Sequence, residues 1–143
     1  MAVLNAAATH ELRFNEKGKF KILQLTDLHF GEDEAADLKS QNVVRQLLEL
    51  EKPDFVAITG DVVSSFVWTN QEDWFEAQYG KLMSILDEQG VHFGTTAGNH
   101  DAEANLNRRQ ISELDRSYNY SMTQANSADI SNEFNYRLSV HSK

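Results

Sequence analysis

The chain of 143 residues contains no cysteine and a single proline, and its basic residues are few. Without cysteine it can form neither disulfides nor thiolate metal sites, so any metal ion must be bound by His, Asp, Glu, Asn or water. Only 13 Lys and Arg stand against 22 Asp and Glu, which gives a net charge of −9. This balance argues against a broad nucleic-acid-binding surface. It does not exclude a phosphate-containing substrate, because bound divalent cations can reverse the local electrostatic field.

Long hydrophobic runs are also absent: none approaches the ~18 apolar residues of a membrane-spanning helix. The first eight residues lack the basic start and the apolar length of a signal peptide. We therefore expect a soluble, cytoplasmic protein without membrane association. The hydrophobic content of 41% and charged content of 24% are typical of globular chains, and the length suits one domain over residues 1–143.

Apolar residues alternate between strand-like and helix-like spacing along the first two thirds of the chain. This pattern predicts strands at 20–26, 55–59 and 91–97, and helices at 43–52 and 75–90. We expect residues 31–37 to form a solvated acidic loop and Ser40 to be the N-cap of the first helix. Alternating strands and helices with short connections predict an α/β fold with a mainly parallel sheet and flanking helices.

The last third of the chain has weaker patterns. Residues 103–115 have apolar positions compatible with a helix, and residues 117–133 are polar and predict a loop. Residues 134–140 alternate apolar and polar side chains, which predicts a strand with one buried face. His141 is interpreted as a terminal solvated histidine.

Polar side chains follow each predicted strand directly: Asp27 and His29 the first, Asp61 the second, Asn99 and His100 the third. Ligands of open α/β sheets bind at the carboxyl ends of the strands, so these side chains are expected to meet at one edge. Carboxylate and amide oxygens together with neutral imidazole suit zinc, iron or manganese. The alternative is that these residues cap loops and helix starts.

Neighbouring polar residues have open interpretations. Asp101 either caps the next helix or orients a metal ligand, and capping is favoured. Arg108 and Arg109 either bind a phosphate oxyanion or form a solvated helix face, which is the favoured interpretation. The acidic residues of the expected loop are interpreted as solvated rather than as extra ligands; they are Glu32, Asp33, Glu34 and Asp37.

The series Asp27-Leu28-His29, Gly60-Asp61 and Gly98-Asn99-His100-Asp101 resembles the calcineurin-like metallophosphoesterase family, nearest its purple acid phosphatase-related branch. The resemblance covers roughly residues 19–115. It implies that Asp27 and His29 bind one metal ion, that Asp61 bridges two ions and that Asn99 binds the second. It further implies that His100 contacts the phosphate or protonates the leaving group. The two ions would be Mn, Fe or Zn.

The resemblance implies a metal-dependent hydrolase of phosphate esters, a phosphatase or phosphodiesterase, in which the metal ions activate a water molecule. The family pattern continues with a Gly-His-x-His segment, whereas no Gly-His pair follows His100 in this sequence. We therefore expect the first half of an α/β/β/α sandwich, which belongs to a truncated gene product, a fragment, or a subunit whose exposed sheet face is covered by a partner chain. The alternative function is a truncated, catalytically impaired metal-binding or interaction module of the same fold.

Overall fold

A computed structural model describes residues 11–142 of the chain. Within this range the elements follow the order β1 (Leu12–Arg13), β2 (Ile22–Leu25), α1 (Glu34–Glu51), β3 (Phe55–Ile58), a 3₁₀ turn (Ser65–Val67), α2 (Trp74–Gln89), β4 (Phe93–Thr95), α3 (Arg108–Asp115) and β5 (Val140–His141). Strands β2, β3 and β4 form a parallel sheet in that order, and β1 pairs with β5 separately. The predicted α/β fold with a parallel sheet is confirmed.

No helix in the described part of the chain is long and apolar enough to cross a membrane. The segment of residues 1–8, on which the expected absence of a signal peptide rests, lies outside the described residues.

Helix α1 begins earlier than the sequence predicts. The side chain of Asp33 accepts a hydrogen bond from the backbone N–H of Ala36 at 2.7 Å, so Asp33 is the N-cap and the prediction of Ser40 is wrong. The expected loop at 31–37 is correspondingly shorter. The helix ends where Lys52 adopts a left-handed conformation (φ 46°), one residue before Pro53.

Asp37, expected to be solvated, is instead buried, and its side chain links α1 to α2. Its carboxylate accepts hydrogen bonds from Lys81 Nζ at 2.6 Å and from the backbone N–H of Gly31 at 3.0 Å. Partial burial lowers the pKa of Lys81, but hydrogen bonds to Asp37 and Glu34 outweigh it and raise that pKa overall. The ion pair therefore fixes the loop after β2 against both helices.

The core packs the parallel sheet against helices α1 and α2, with Ile111 of α3. The predicted apolar face of α2 is fully buried; its residues are Phe75, Tyr79, Leu82 and Leu86. The Tyr79 hydroxyl donates to Asp115 Oδ1 at 2.7 Å, and Thr95 Oγ1 donates to the same oxygen at 2.9 Å. Burial, followed by the charge of Asp115, raises the pKa of Tyr79 well above its ordinary value. This network joins α2, β4 and the end of α3.

The chain after β4 departs from two sequence predictions. Helix α3 begins at Arg108 rather than at 103, because Asn107 and Gln110 form a reciprocal capping box there. Residues 134–140 do not form the predicted strand: Phe134 adopts φ 63°, which interrupts an extended backbone, and only Val140–His141 pair, with β1. The predicted loop at 117–133 contains no helix or strand.

A single carboxylate joins the loops that follow β3 and β4. Asp101 is 2% exposed and accepts backbone N–H bonds from Gly98 at 2.7 Å, Asp61 at 2.9 Å and Val63 at 3.0 Å. Burial raises the pKa of Asp101 more than these three bonds lower it. The favoured prediction that Asp101 caps a helix is wrong, since Asn107 caps α3.

The same two loops touch backbone to backbone at two glycines. A Cβ placed on Gly60, where φ is 101°, would lie 2.6 Å from the Cα of Gly98. A Cβ on Gly98 would lie 2.1 Å from Asp61 Oδ1 and 2.5 Å from its backbone nitrogen. All three distances are far below van der Waals contact, so this approach requires glycine at both positions.

The substitution Gly98→Ala should lower the free energy of unfolding by about 1–3 kcal/mol, because the added methyl group overpacks the Asp61 backbone. Urea unfolding measures the change. The control is Gly80→Ala within α2, where the nearest atom, Tyr118 Oη, lies 3.7 Å from the added Cβ. This control should stabilise the helix by about 0.5–1 kcal/mol. Equal effects of the two substitutions would contradict the close approach.

The substitution Tyr79→Phe should lower the free energy of unfolding by about 1–3 kcal/mol, because it removes a buried hydrogen bond to a carboxylate. Thermal and urea unfolding measure the loss. The control is Tyr118→Phe, whose hydroxyl makes no hydrogen bond with any residue in the range 11–142. If the control destabilised the protein as strongly, the network around Asp115 would not be the cause.

Candidate metal centre

Two strand-end loops bring three of the predicted metal ligands together. One potential ligand atom from each of Asp27, His29 and Asp61 lies within 4.8 Å of the others. Asp27 and His29 follow β2, and Asp61 follows β3, so both loops leave the carboxyl edge of the parallel sheet. Asp61 is buried, His29 is partly exposed and Asp27 is exposed. The three side chains therefore form a group that is buried on the side of Asp61 and open to solvent on the side of Asp27.

All three residues adopt the left-handed backbone conformation, with φ of 54° at Asp27, 51° at His29 and 50° at Asp61. This conformation is uncommon for residues other than glycine, although Asp and His tolerate it better than most. Parallel pairing between the loops maintains it: Asp27 N donates to Gly60 O at 3.1 Å, and His29 N donates to Asp61 O at 3.1 Å. The sequence shows which residue types are present, but it does not indicate that they adopt this backbone conformation.

Each carboxylate retains an oxygen for a cation. Asp61 Oδ1 accepts the backbone N–H of His100 at 2.9 Å, while no donor from residues 11–142 is bonded to its Oδ2. Asp27 Oδ2 accepts the Thr26 hydroxyl at 2.6 Å, and its Oδ1 lies 3.8 Å from His29 Nε2. Two carboxylates so close together repel each other unless a cation lies between them. One imidazole and two carboxylates fit Mn, Fe or Zn.

His100 lies beside this group, on the loop after β4. Its ring centroid is 5.9 Å from that of His29 and 5.2 Å from that of Phe66, which packs against it edge-on. Its Nδ1 is hydrogen-bonded to Glu103 Oε2 at 2.9 Å. This hydrogen bond raises the pKa of His100 above its ordinary value, against a smaller opposing effect of desolvation.

The other candidates lie in varied settings. Asn99 is exposed next to His100, and its role as a ligand of a second ion stays a prediction. His141 is exposed in β5 and, among the described residues, belongs to no group of three clustered ligands. Arg109 is exposed and paired with Glu113, as expected for a helix face, whereas Arg108 donates to Ala97 O at 3.3 Å.

Sequence reasoning missed three residues that contact the two histidines. Ser64 Oγ lies 2.6 Å from His29 Nδ1 and donates its own proton to Glu32, whose expected setting is the solvated acidic loop. Glu103 Oε2 is hydrogen-bonded to His100 Nδ1. Ser64 and His29 are 35 positions apart, so no local pattern connects them. Only the parallel pairing of the two loops places them together.

Comparison with known proteins gives a consistent set of relatives. The chain is 30% identical over 129 residues to a probable inactive purple acid phosphatase 28 of Arabidopsis thaliana, covering 80% of this chain and 32% of that protein. It is 32% identical over 124 residues to the phosphatase DCR2 of Saccharomyces cerevisiae, covering 78% of this chain and 21% of that protein. A probable cyclic nucleotide phosphodiesterase of Psychrobacter arcticus is 28% identical over 97 residues, covering 59% of this chain and 32% of that protein.

The chain thus spans about a fifth to a third of the length of these relatives. The profile of the calcineurin-like phosphoesterase family matches residues 20–141, a range that includes both strand-end loops of the metal group, the loop of His100 and helix α3. The chain therefore belongs to the calcineurin-like phosphoesterase family, and its relatives include proteins similar to purple acid phosphatases.

Proposed function

We propose that this chain forms the metal-binding part of a hydrolase of phosphate esters, with Asp27, His29 and Asp61 as ligands of a first metal ion. The observation that carries the proposal is the convergence of these side chains within 4.8 Å at the carboxyl edge of the sheet. A second ion would share Asp61 and bind Asn99. Membership of the calcineurin-like phosphoesterase family supports the reaction class.

The bound ions would supply a water of lowered pKa and would neutralise charge on the phosphate oxygens. The protein's own contribution to proton transfer is His100. Glu103 is hydrogen-bonded to Nδ1 at 2.9 Å, which leaves Nε2 as the ring nitrogen that can carry the transferred proton. A protonated Nε2 beside the phosphate is the group required to donate a proton to the leaving oxygen.

A second candidate is a metal-binding module that does not hydrolyse esters. It is favoured by the three clustered ligands of the described residues, which are too few to hold two ions firmly. The name of one relative describes it as probably inactive. In this candidate a partner chain would cover the exposed face of the sheet, where Ile22 of β2 is 57% exposed.

Asp61→Asn should weaken Mn²⁺ binding by more than the ~10–100-fold that residues behind metal ligands contribute, because it removes the charge at the centre of the group. Isothermal titration of the purified chain measures the dissociation constant. Asp129→Asn, in the exposed loop after α3, removes the same charge outside the group and should leave affinity unchanged. Equal affinities of the wild type and Asp61→Asn would refute the metal site.

His100→Ala should lower kcat for an alkyl phosphate by about 10²–10⁴-fold, because a poor leaving group needs a proton. The loss should be much smaller with p-nitrophenyl phosphate, whose leaving group departs as a stable anion. Steady-state kinetics of the Mn²⁺-loaded chain measure both values. Equal losses with the two substrates would exclude general acid catalysis by His100, and Mn²⁺ binding without any turnover would establish the second candidate.

A further inference from the structure

A buried serine connects His29 to a glutamate behind it. Ser64 is fully buried, and its Oγ lies 2.6 Å from His29 Nδ1. The same hydroxyl donates to Glu32 Oε1, which itself lies 3.4 Å from His29 Nδ1. The other ring nitrogen of His29, Nε2, faces Asp27 Oδ1 at 3.8 Å. The two nitrogens of the ring therefore face different surroundings: Nδ1 faces Ser64 and Glu32, and Nε2 faces the metal group.

The number of protons that these side chains carry decides which atom donates and which accepts in each hydrogen bond. A serine hydroxyl has one hydrogen to donate, and an ionised carboxylate only accepts. When Ser64 donates to Glu32, its oxygen is left as an acceptor for the N–H of His29 Nδ1. A neutral imidazole has one N–H, so Nε2 then carries the lone pair. This lone pair is directed towards Asp27, on the side where a metal ion would bind.

We propose that Glu32 and Ser64 are positioning residues that fix the tautomer of His29 with its proton on Nδ1, so that Nε2 is free to bind the metal ion. The proposal rests on the metal site proposed above and adds two residues that the sequence did not indicate. Neither residue is a metal ligand in it. Hydrogen bonding to the second nitrogen of a ligating histidine fixes the orientation of the ring and increases its basicity.

Glu32 is the better position to test, because its side chain is 46% exposed and its removal leaves the core intact. In Glu32→Ala the Ser64 hydroxyl is released and can donate to Nδ1, which favours the opposite tautomer. In Glu32→Gln the amide oxygen still accepts from Ser64 although the charge is gone. The pair of variants therefore separates hydrogen bonding from charge. Glu49→Ala, exposed on α1, is the control for loss of an acidic side chain.

The tautomer is read from long-range ¹H–¹⁵N spectra of histidine-labelled, metal-free protein at about pH 8, where an ordinary histidine is neutral. The wild type, Glu32→Gln and Glu49→Ala should show the proton of His29 on Nδ1. Glu32→Ala should show a shift towards Nε2–H. A wild-type proton on Nε2, or spectra unaffected by Glu32→Ala, would overturn the proposal.

Mn²⁺ titration of the same variants gives the second readout. Glu32→Ala should raise the dissociation constant about 10-fold, whereas Glu32→Gln and Glu49→Ala should stay near the wild type. An equal loss in Glu32→Gln without a tautomer change would overturn the proposal, since Glu32 would then act through its charge or as a ligand. A wild type that binds no Mn²⁺ would refute the proposed function, while the metal-free spectra would still decide the role of Glu32.

Discussion

The geometry of the metal centre depends on the buried carboxylate of Asp101. Its three backbone N–H bonds join Gly98, on the loop after β4, to Asp61 and Val63, on the loop after β3. The join is reciprocal, because Asp61 Oδ1 accepts the N–H of His100 from the opposite loop. Burying a carboxylate is unfavourable, and the raised pKa of Asp101 reflects this. Without Asp101, however, three backbone donors would lose their acceptor, so the side chain joins the loops through these hydrogen bonds despite the unfavourable burial of its charge.

This join allows the metal group to keep a strained backbone. Left-handed conformations at Asp27, His29 and Asp61 cost on the order of 1–3 kcal/mol each and persist only where the surrounding structure imposes them. Parallel pairing between the loops provides part of that constraint, and the contact between Gly60 and Gly98 adds to it at Asp61. A group that is ordered before a ligand arrives loses less entropy on binding. The strain is therefore consistent with a preformed metal site.

The sequence predicts the parallel sheet and helix α2 because local apolar spacing determines them. It also places Asp27, His29 and Asp61 directly after predicted strands, and their role as metal ligands stays a prediction. The sequence does not predict the early start of α1, because Asp33 and Ser40 are both residue types that cap helices. In the structure the side chain of Asp33 accepts the N–H of Ala36, so the helix begins directly after Asp33. The buried role of Asp37 depends on Lys81, 44 positions away, and a local charge run does not contain that information. The predicted strand at 134–140 failed for a related reason: its alternating residues pack on the core, as Phe134 does, without a neighbouring strand to pair their backbone.

The positions of the ligands also determine how the two ions would differ. In the proposed site Asp27, His29 and Asp61 would supply three ligands to a first ion, whereas a second ion would depend on Asn99 and on a shared oxygen of Asp61. Asp61 Oδ1 already accepts the N–H of His100, although a carboxylate oxygen has a second lone pair for a cation. The first ion should therefore bind more tightly than the second. Because the proposed two-metal chemistry needs both ions, binding of one metal ion would not by itself imply ester hydrolysis.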